Sequence, residues 1–149
     1  MACRANVLLS AILSAAIAWL LVVDTGSAQS LPPQAVERLK TKLGKDPPPD
    51  VPGEAIGSEG NPIRVLLPEG ERAYLSRLRC GNGKPPKFNR LGSTFSPGQN
   101  MLDMYELTCR RQPKVVVYMD MYQCVEEQRP IDGFEIVPDT TERDRSYCN

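Results

Sequence analysis

The chain carries the tripeptide Asp-Met-Tyr twice, at Asp103 to Tyr105 and at Asp120 to Tyr122, and these residues are its best candidates for chemistry. Two carboxylates placed opposite each other repel unless one is protonated, a cation lies between them or water screens them. With Glu106, the same pair could supply the acid and base of a carboxylate-dependent hydrolase acting on glycan. Such an enzyme needs a cleft around these groups and at least one raised pKa. Tyr118 adds a third ring beside the second copy. Asp103, Tyr105, Tyr118, Asp120 and Tyr122 therefore form the candidate ligand or partner face, whose plainest reading is the wet side of an antiparallel sheet.

Other routes to catalysis close quickly. The chain has no His, which removes Ser-His-Asp and Cys-His arrangements in cis. Four cysteines beyond the leader, Cys80, Cys109, Cys124 and Cys148, contain no C-x-x-C pair, so two disulfides are the reading and zinc is not. Asp24-Thr25-Gly26 resembles an aspartic-protease loop, but that chemistry needs two such loops and the chain has one, inside an apolar leader. Gly81-Asn82-Gly83-Lys84 lacks the rest of a phosphate loop and is followed by prolines, so it reads as a turn. Glu126-Glu127 and the run from Thr141 to Arg145 read as solvated charge clusters. No cofactor and no resident metal are expected.

The leader sets the compartment. Arg4 precedes an apolar run from Val7 to Val23, closed by Gly26-Ser27-Ala28, which is the pattern a signal peptidase cuts. A comfortable membrane span needs roughly 20 apolar residues, so cleavage is favoured over anchoring. The mature chain is expected to start at Gln29, periplasmic or secreted. Its formal charge balances at zero, which steers toward neither nucleic acid nor an anionic membrane. An envelope protein or a small ligand is the class of partner left, with no stable membrane anchor after cleavage.

The elements that would position the candidate face follow from periodicity. Val36, Leu39 and Leu43 recur at helical spacing behind prolines, giving a short amphipathic helix over residues 29–44. Residues 45–60, rich in Pro and Gly, read as an extended linker, and 61–149 as a compact disulfide-bonded domain. Within it, Ile63 to Leu67 predicts a strand, Glu69 to Arg79 a helix, and Phe88 to Ser93 a strand. The strongest signal is a β-hairpin of about 102–109 and 114–124 around Arg110-Arg111-Gln112-Pro113. A four-residue turn would pair Cys109 with Lys114, Tyr105 with Tyr118 and Asp103 with Asp120. Leu102, Met104, Val115, Val117, Met119 and Met121 would then face the core, and replacing either Asp by Asn would relieve repulsion. The fold class is α+β: a small antiparallel sheet with a central hairpin, one or two short helices and two disulfides.

The hairpin also restricts the cysteines. Strand rise of about 3.3 Å per residue puts Cys109 and Cys124 on the order of 30 Å apart, beyond the roughly 7 Å between Cα atoms that a disulfide allows. Cys80 with Cys109 and Cys124 with Cys148, or Cys80 with Cys124 and Cys109 with Cys148, remain.

Asn61-Pro62-Ile63-Arg64-Val65, Gly70 to Cys80, Phe88-x-Arg90-x-Gly92-Ser93, Asp103-x-Tyr105-Glu106-x-x-Cys109 and Tyr118-Met119-Asp120-Met121-Tyr122 together resemble small exported proteins of Gram-negative bacteria. The resemblance covers about residues 60 to 134 and carries no activity with it. Its pattern holds Cys80 and Cys109 but not Cys124, which implies the first of the two pairings. A His that often follows Met-Asp-Met-Tyr there is replaced by Gln123-Cys124 here, so no metal role transfers. A binding or envelope-accessory module without a catalytic centre is the reading that results, with the carboxylate hydrolase as its alternative.

Overall fold

A computed structural model describes residues 32–143 and 145–148; the leader and the Asp24-Thr25-Gly26 motif lie outside them. In chain order the elements are helix α1 (Pro33–Lys42), β1 (Ile63–Arg64), α2 (Leu67–Arg77), β2 (Leu78–Arg79), β3 (Lys87–Phe95), β4 (Met101–Thr108), β5 (Val115–Asp120), β6 (Glu135–Ile136) and a 3-10 turn (Ser146–Cys148). The fold is α+β. Its main sheet has the order β1-β5-β4-β3, and β2 pairs with β6 in a small second sheet. β1 runs parallel to β5, which makes the main sheet mixed, because the chain leaves β1 through α2 and returns to it only as β5, the second strand of the hairpin.

Helix α2 forms where Leu67, Glu71, Tyr74, Leu75 and Leu78 share one side at a period of 3.6. That side packs on the sheet, giving a core of Ile63, Val65, Tyr74, Leu75, Leu78, Tyr105, Leu107, Val117, Met119 and Ile131. Gly70 is a weak helix former, yet it sits where a Cβ would come within 3.0 Å of the Val65 Cβ. It is what lets the helix approach β1. The expected strand from Ile63 stops at Arg64, since Pro68 and the start of α2 take over at Leu67.

Residues 45–60 contain neither helix nor strand, and specific bonds hold them against the rest of the unit. Arg64, buried in β1, and Arg129 both grip Asp50, the former at 3.0 Å. Gly57 adopts a φ of +87°, accepts a backbone bond from Tyr118 N–H at 2.9 Å, and lies where any Cβ would press within 2.9 Å of Ile131. At the end of α1, Gly44 is bonded to Tyr122 and Cys124 through its backbone, so the helix is moored at its C-terminus.

Both disulfides follow the pairing that the resemblance implies, Cys80–Cys109 and Cys124–Cys148. No helix among the described residues is long and apolar enough to cross a membrane. The two disulfides fit an oxidising compartment outside the cytosol.

Candidate functional site

The hairpin forms, but one residue out of the expected register. Tyr105 pairs with Val117, Leu107 with Val115 and Asp103 with Met119. Cys109 leaves the ladder to bond Cys80, and Arg111 takes a left-handed φ of 63°, so the connection is longer than the four-residue turn read from sequence. A one-residue slip reverses every side chain of one strand relative to its neighbour. The assignment of Val115, Val117 and Met119 to the core side stands. Leu102 and Met104 lie on the opposite side, and Asp103, Tyr105 and Leu107 take their place beneath α2. Leu102 is still buried there, beside Pro48, Pro49 and Val51 around a cavity of about 440 Å³.

The five candidate residues are therefore not brought together. Asp103 and Tyr105 face α2, while Tyr118 and Asp120 lie on the other side of the sheet. Asp120 is buried and accepts bonds from Gln123 Nε2 at 2.8 Å and from Tyr122 N–H at 3.0 Å. The Tyr122 hydroxyl lies 4.0 Å from the Met101 sulfur. No repelling Asp pair exists among the described residues, which corrects the sequence expectation. Glu106 is engaged by Lys114 at 2.9 Å.

What the register does assemble is a polar network on the α2 side, running out to the edge strand. Arg90 on β3 clasps Asp103 through two bonds, Nε to Oδ2 at 2.8 Å and Nη2 to Oδ1 at 2.7 Å, and the Ser93 hydroxyl donates to Oδ1 at 2.8 Å. Burial pushes the Asp103 carboxyl up, but Arg90 and Ser93 more than offset it and hold it below the ordinary range. Asp103→Asn should therefore destabilise, by about 1–2 kcal/mol for a charge-assisted pair whose Arg is half exposed. Because the folded carboxyl titrates below the unfolded one, that contribution is present above about pH 4 and fades below it. Urea midpoints of wild type and variant at pH 7 and pH 3 measure it. A stabilised variant at pH 7 would restore the repulsion reading.

Beside this pair, Glu71 of α2 is 1% exposed and accepts a bond from the Tyr105 hydroxyl at 2.9 Å, while its Oε1 has no hydrogen-bond partner among the described residues. Burial raises its pKa from the ordinary 4.5 to about 7; the Tyr105 bond lowers it, Asp103 raises it, and Arg90 and Arg72 lower it. The Tyr105 hydroxyl is pushed up to about 12, by burial and then by Glu71. Between pH 4.5 and about 7 the unfolded chain releases this proton while the folded one keeps it, so stability falls with rising pH by up to about 1.4 kcal/mol per unit. Glu71→Gln should remove that slope, and melts from pH 4 to 8 would show the two curves diverging as pH rises. Parallel curves would mean that the carboxyl is ionised in the fold. Sequence reading missed Glu71, although a carboxylate inside the apolar stripe of a helix was its visible signal.

The outermost strand of the network carries the exposed feature. β3 ends the sheet, and among the described residues no backbone group pairs with its outer edge. Phe88, Leu91 and Phe95 on it are 42, 49 and 64% exposed, with Met101 of β4 adjoining Phe95 in register. Phe88 stands edge-on to Tyr105, its ring centroid 6.3 Å away. The ladder shifts register between Arg90 and Gly92, leaving Leu91 as the extra residue of a bulge. Chemically this is a strand that offers hydrogen bonds and apolar anchors together. Comparison with family models, with curated proteins and with solved structures gave no match.

Proposed function

We propose that the protein is an exported envelope-accessory module that works by binding, and that it takes an extended segment of a partner protein along the outer edge of β3. One observation carries this reading: a nine-residue edge strand whose outer edge has no partner among the described residues also exposes three large apolar side chains. Edge strands usually blunt such surfaces with charge or a bulge, because free N–H and C=O groups recruit other strands; β3 carries Lys87, Arg90 and one bulge, yet keeps its apolar side chains exposed. Strand addition uses those groups for affinity and alternate side chains for specificity. A partner segment fits better than a second copy. Two β3 strands meeting about a twofold at Leu91 would set bulge against bulge and interrupt the ladder in both copies.

The Cys80–Cys109 bridge and the Arg90–Asp103 clasp support the reading by fixing the strand that would receive the ligand. Export by cleavage after Ala28, to the periplasm or beyond, belongs to the same proposal, as does kinship with the small exported proteins that the chain resembles. Mass spectrometry of the exported protein should find Gln29 at its N-terminus, and an intact leader on membrane-bound protein would contradict that.

Panning a displayed library of unstructured peptides against the oxidised protein tests the binding. Enriched peptides should alternate apolar residues and lose at least about tenfold in affinity to Leu91→Lys and to Phe95→Lys, surface changes that leave the melting transition in place. Peptides that bind both variants as well as wild type would overturn the edge. Dimerisation of the free protein that Phe95→Lys abolishes would replace the partner with a second copy.

A further inference from the structure

The charges of this neutral chain are segregated. No Asp or Glu occurs from Arg72 to Leu102, nor from Leu107 to Met119. The fold brings the interior of the first acid-free stretch against the start of the second, because Cys80 is bonded to Cys109 and Lys87 pairs with Thr108 in the β3–β4 ladder. Lys84, Lys87 and Arg110 thereby line one cavity of about 360 Å³, with Asn82 and Thr108 as further polar groups. Among the described residues, eight of the other fourteen cations hold a carboxylate, Arg64, Arg77, Arg90, Lys114, Arg129 and Arg143 among them. The three at this cavity hold none among the described residues.

From this placement we infer that the disulfide-stapled end of the sheet is a binding site for a multiply charged phosphate-type oxyanion. The side chains are exposed, but their backbones are not free to spread apart. Cys80 N–H bonds the Lys84 carbonyl at 2.8 Å, Asn82 Oδ1 accepts from Lys84 N–H at 3.0 Å, Pro85 and Pro86 follow, and Lys87 opens β3. Like charges held close without counter-ions repel, and an oxyanion relieves that repulsion while accepting their N–H bonds. The nearest acids along the chain are committed: Glu106 to Lys114, Asp103 to Arg90 and Asp120 to the Gln123 amide. The site goes beyond strand addition, and it would stand if no peptide bound β3.

A free diphosphate and the phosphates of a lipid surface share this chemistry, so two probes are needed. Calorimetric titration with pyrophosphate and sedimentation with vesicles of phosphatidylcholine, with and without phosphatidylglycerol, should be run on the oxidised protein near 0.15 M salt, where diffuse surface attraction is screened. Two variants of equal charge change are compared. Lys84→Gln/Lys87→Gln/Arg110→Gln removes the site. Arg38→Gln/Lys42→Gln/Lys45→Gln removes cations elsewhere that likewise hold no carboxylate among the described residues. The inference expects binding in at least one arm, lost about tenfold or more in the first variant and changed less than twofold in the second. Pyrophosphate alone would point to a soluble ligand, and vesicles alone to a lipid headgroup. Equal losses in the two variants, or no binding in either arm, would overturn the site.

Discussion

Val117→Asp should abolish the cooperative unfolding transition, while Tyr118→Ser, one residue along the same strand, should keep it. Val117 is 2% exposed in the middle of β5, packed beneath α2 with Ile63, Leu75 and Met119, and its Cγ1 would lie 3.5 Å from a Cβ on Gly57. A carboxylate there would sit in the apolar core cluster and cost several kcal/mol even after relaxation, comparable to the roughly 5–15 kcal/mol that holds a domain together. Tyr118 lies on the other side of the sheet, half-buried, and its truncation should cost about 1–2 kcal/mol. Circular-dichroism melts would separate the two. Equal loss in both variants would mean that the far side of the sheet is as closed as the α2 side.

Removing the Cys80–Cys109 bridge is the second large effect. It spans a sequence separation of 29, for which the chain-entropy model gives about 3.5 kcal/mol. The peripheral Cys124–Cys148 bridge, with a separation of 24, gives nearly the same entropy. Cys80 and Cys109 are, however, 3 and 4% exposed at the base of the hairpin, so two serines there also leave buried hydroxyls in a site built for sulfur. Cys80→Ser/Cys109→Ser should thus lower the urea midpoint more than Cys124→Ser/Cys148→Ser. The reverse order would show that the tail, and not the hairpin base, is the element the disulfides secure.

The hairpin strands were legible because two runs rich in Met, Tyr, Leu and Val on either side of a polar turn are a local signal. Their register was not, since it depends on Cys109 being drawn off the ladder by Cys80, a partner many residues away. One displaced residue was enough to divide the Asp/Tyr face between the two sides of the sheet. Helix α2 was legible from its period, whereas Gly70 read locally as a weakness and gains its purpose only from Val65. Composition marked residues 45–60 as unable to form helix or central strand, which they do not, but it could not reveal that Asp50 meets Arg64 and Arg129. The charge clusters near Glu126 and Arg143 likewise read as solvated because each was seen alone; in the fold they hold each other at 3.1 Å.

Backbone hydrogen exchange along β3 tests the central claim most directly. In the free, dilute protein, the amides of Lys87–Phe95 that point away from β4 should exchange quickly, and those bonded to β4 slowly. Adding a selected peptide should slow the outward-pointing set alone, with Phe88, Leu91 and Phe95 losing exposure together. Protection of those amides before any peptide is added, or protection on binding that falls elsewhere in the molecule, would contradict strand addition at this edge.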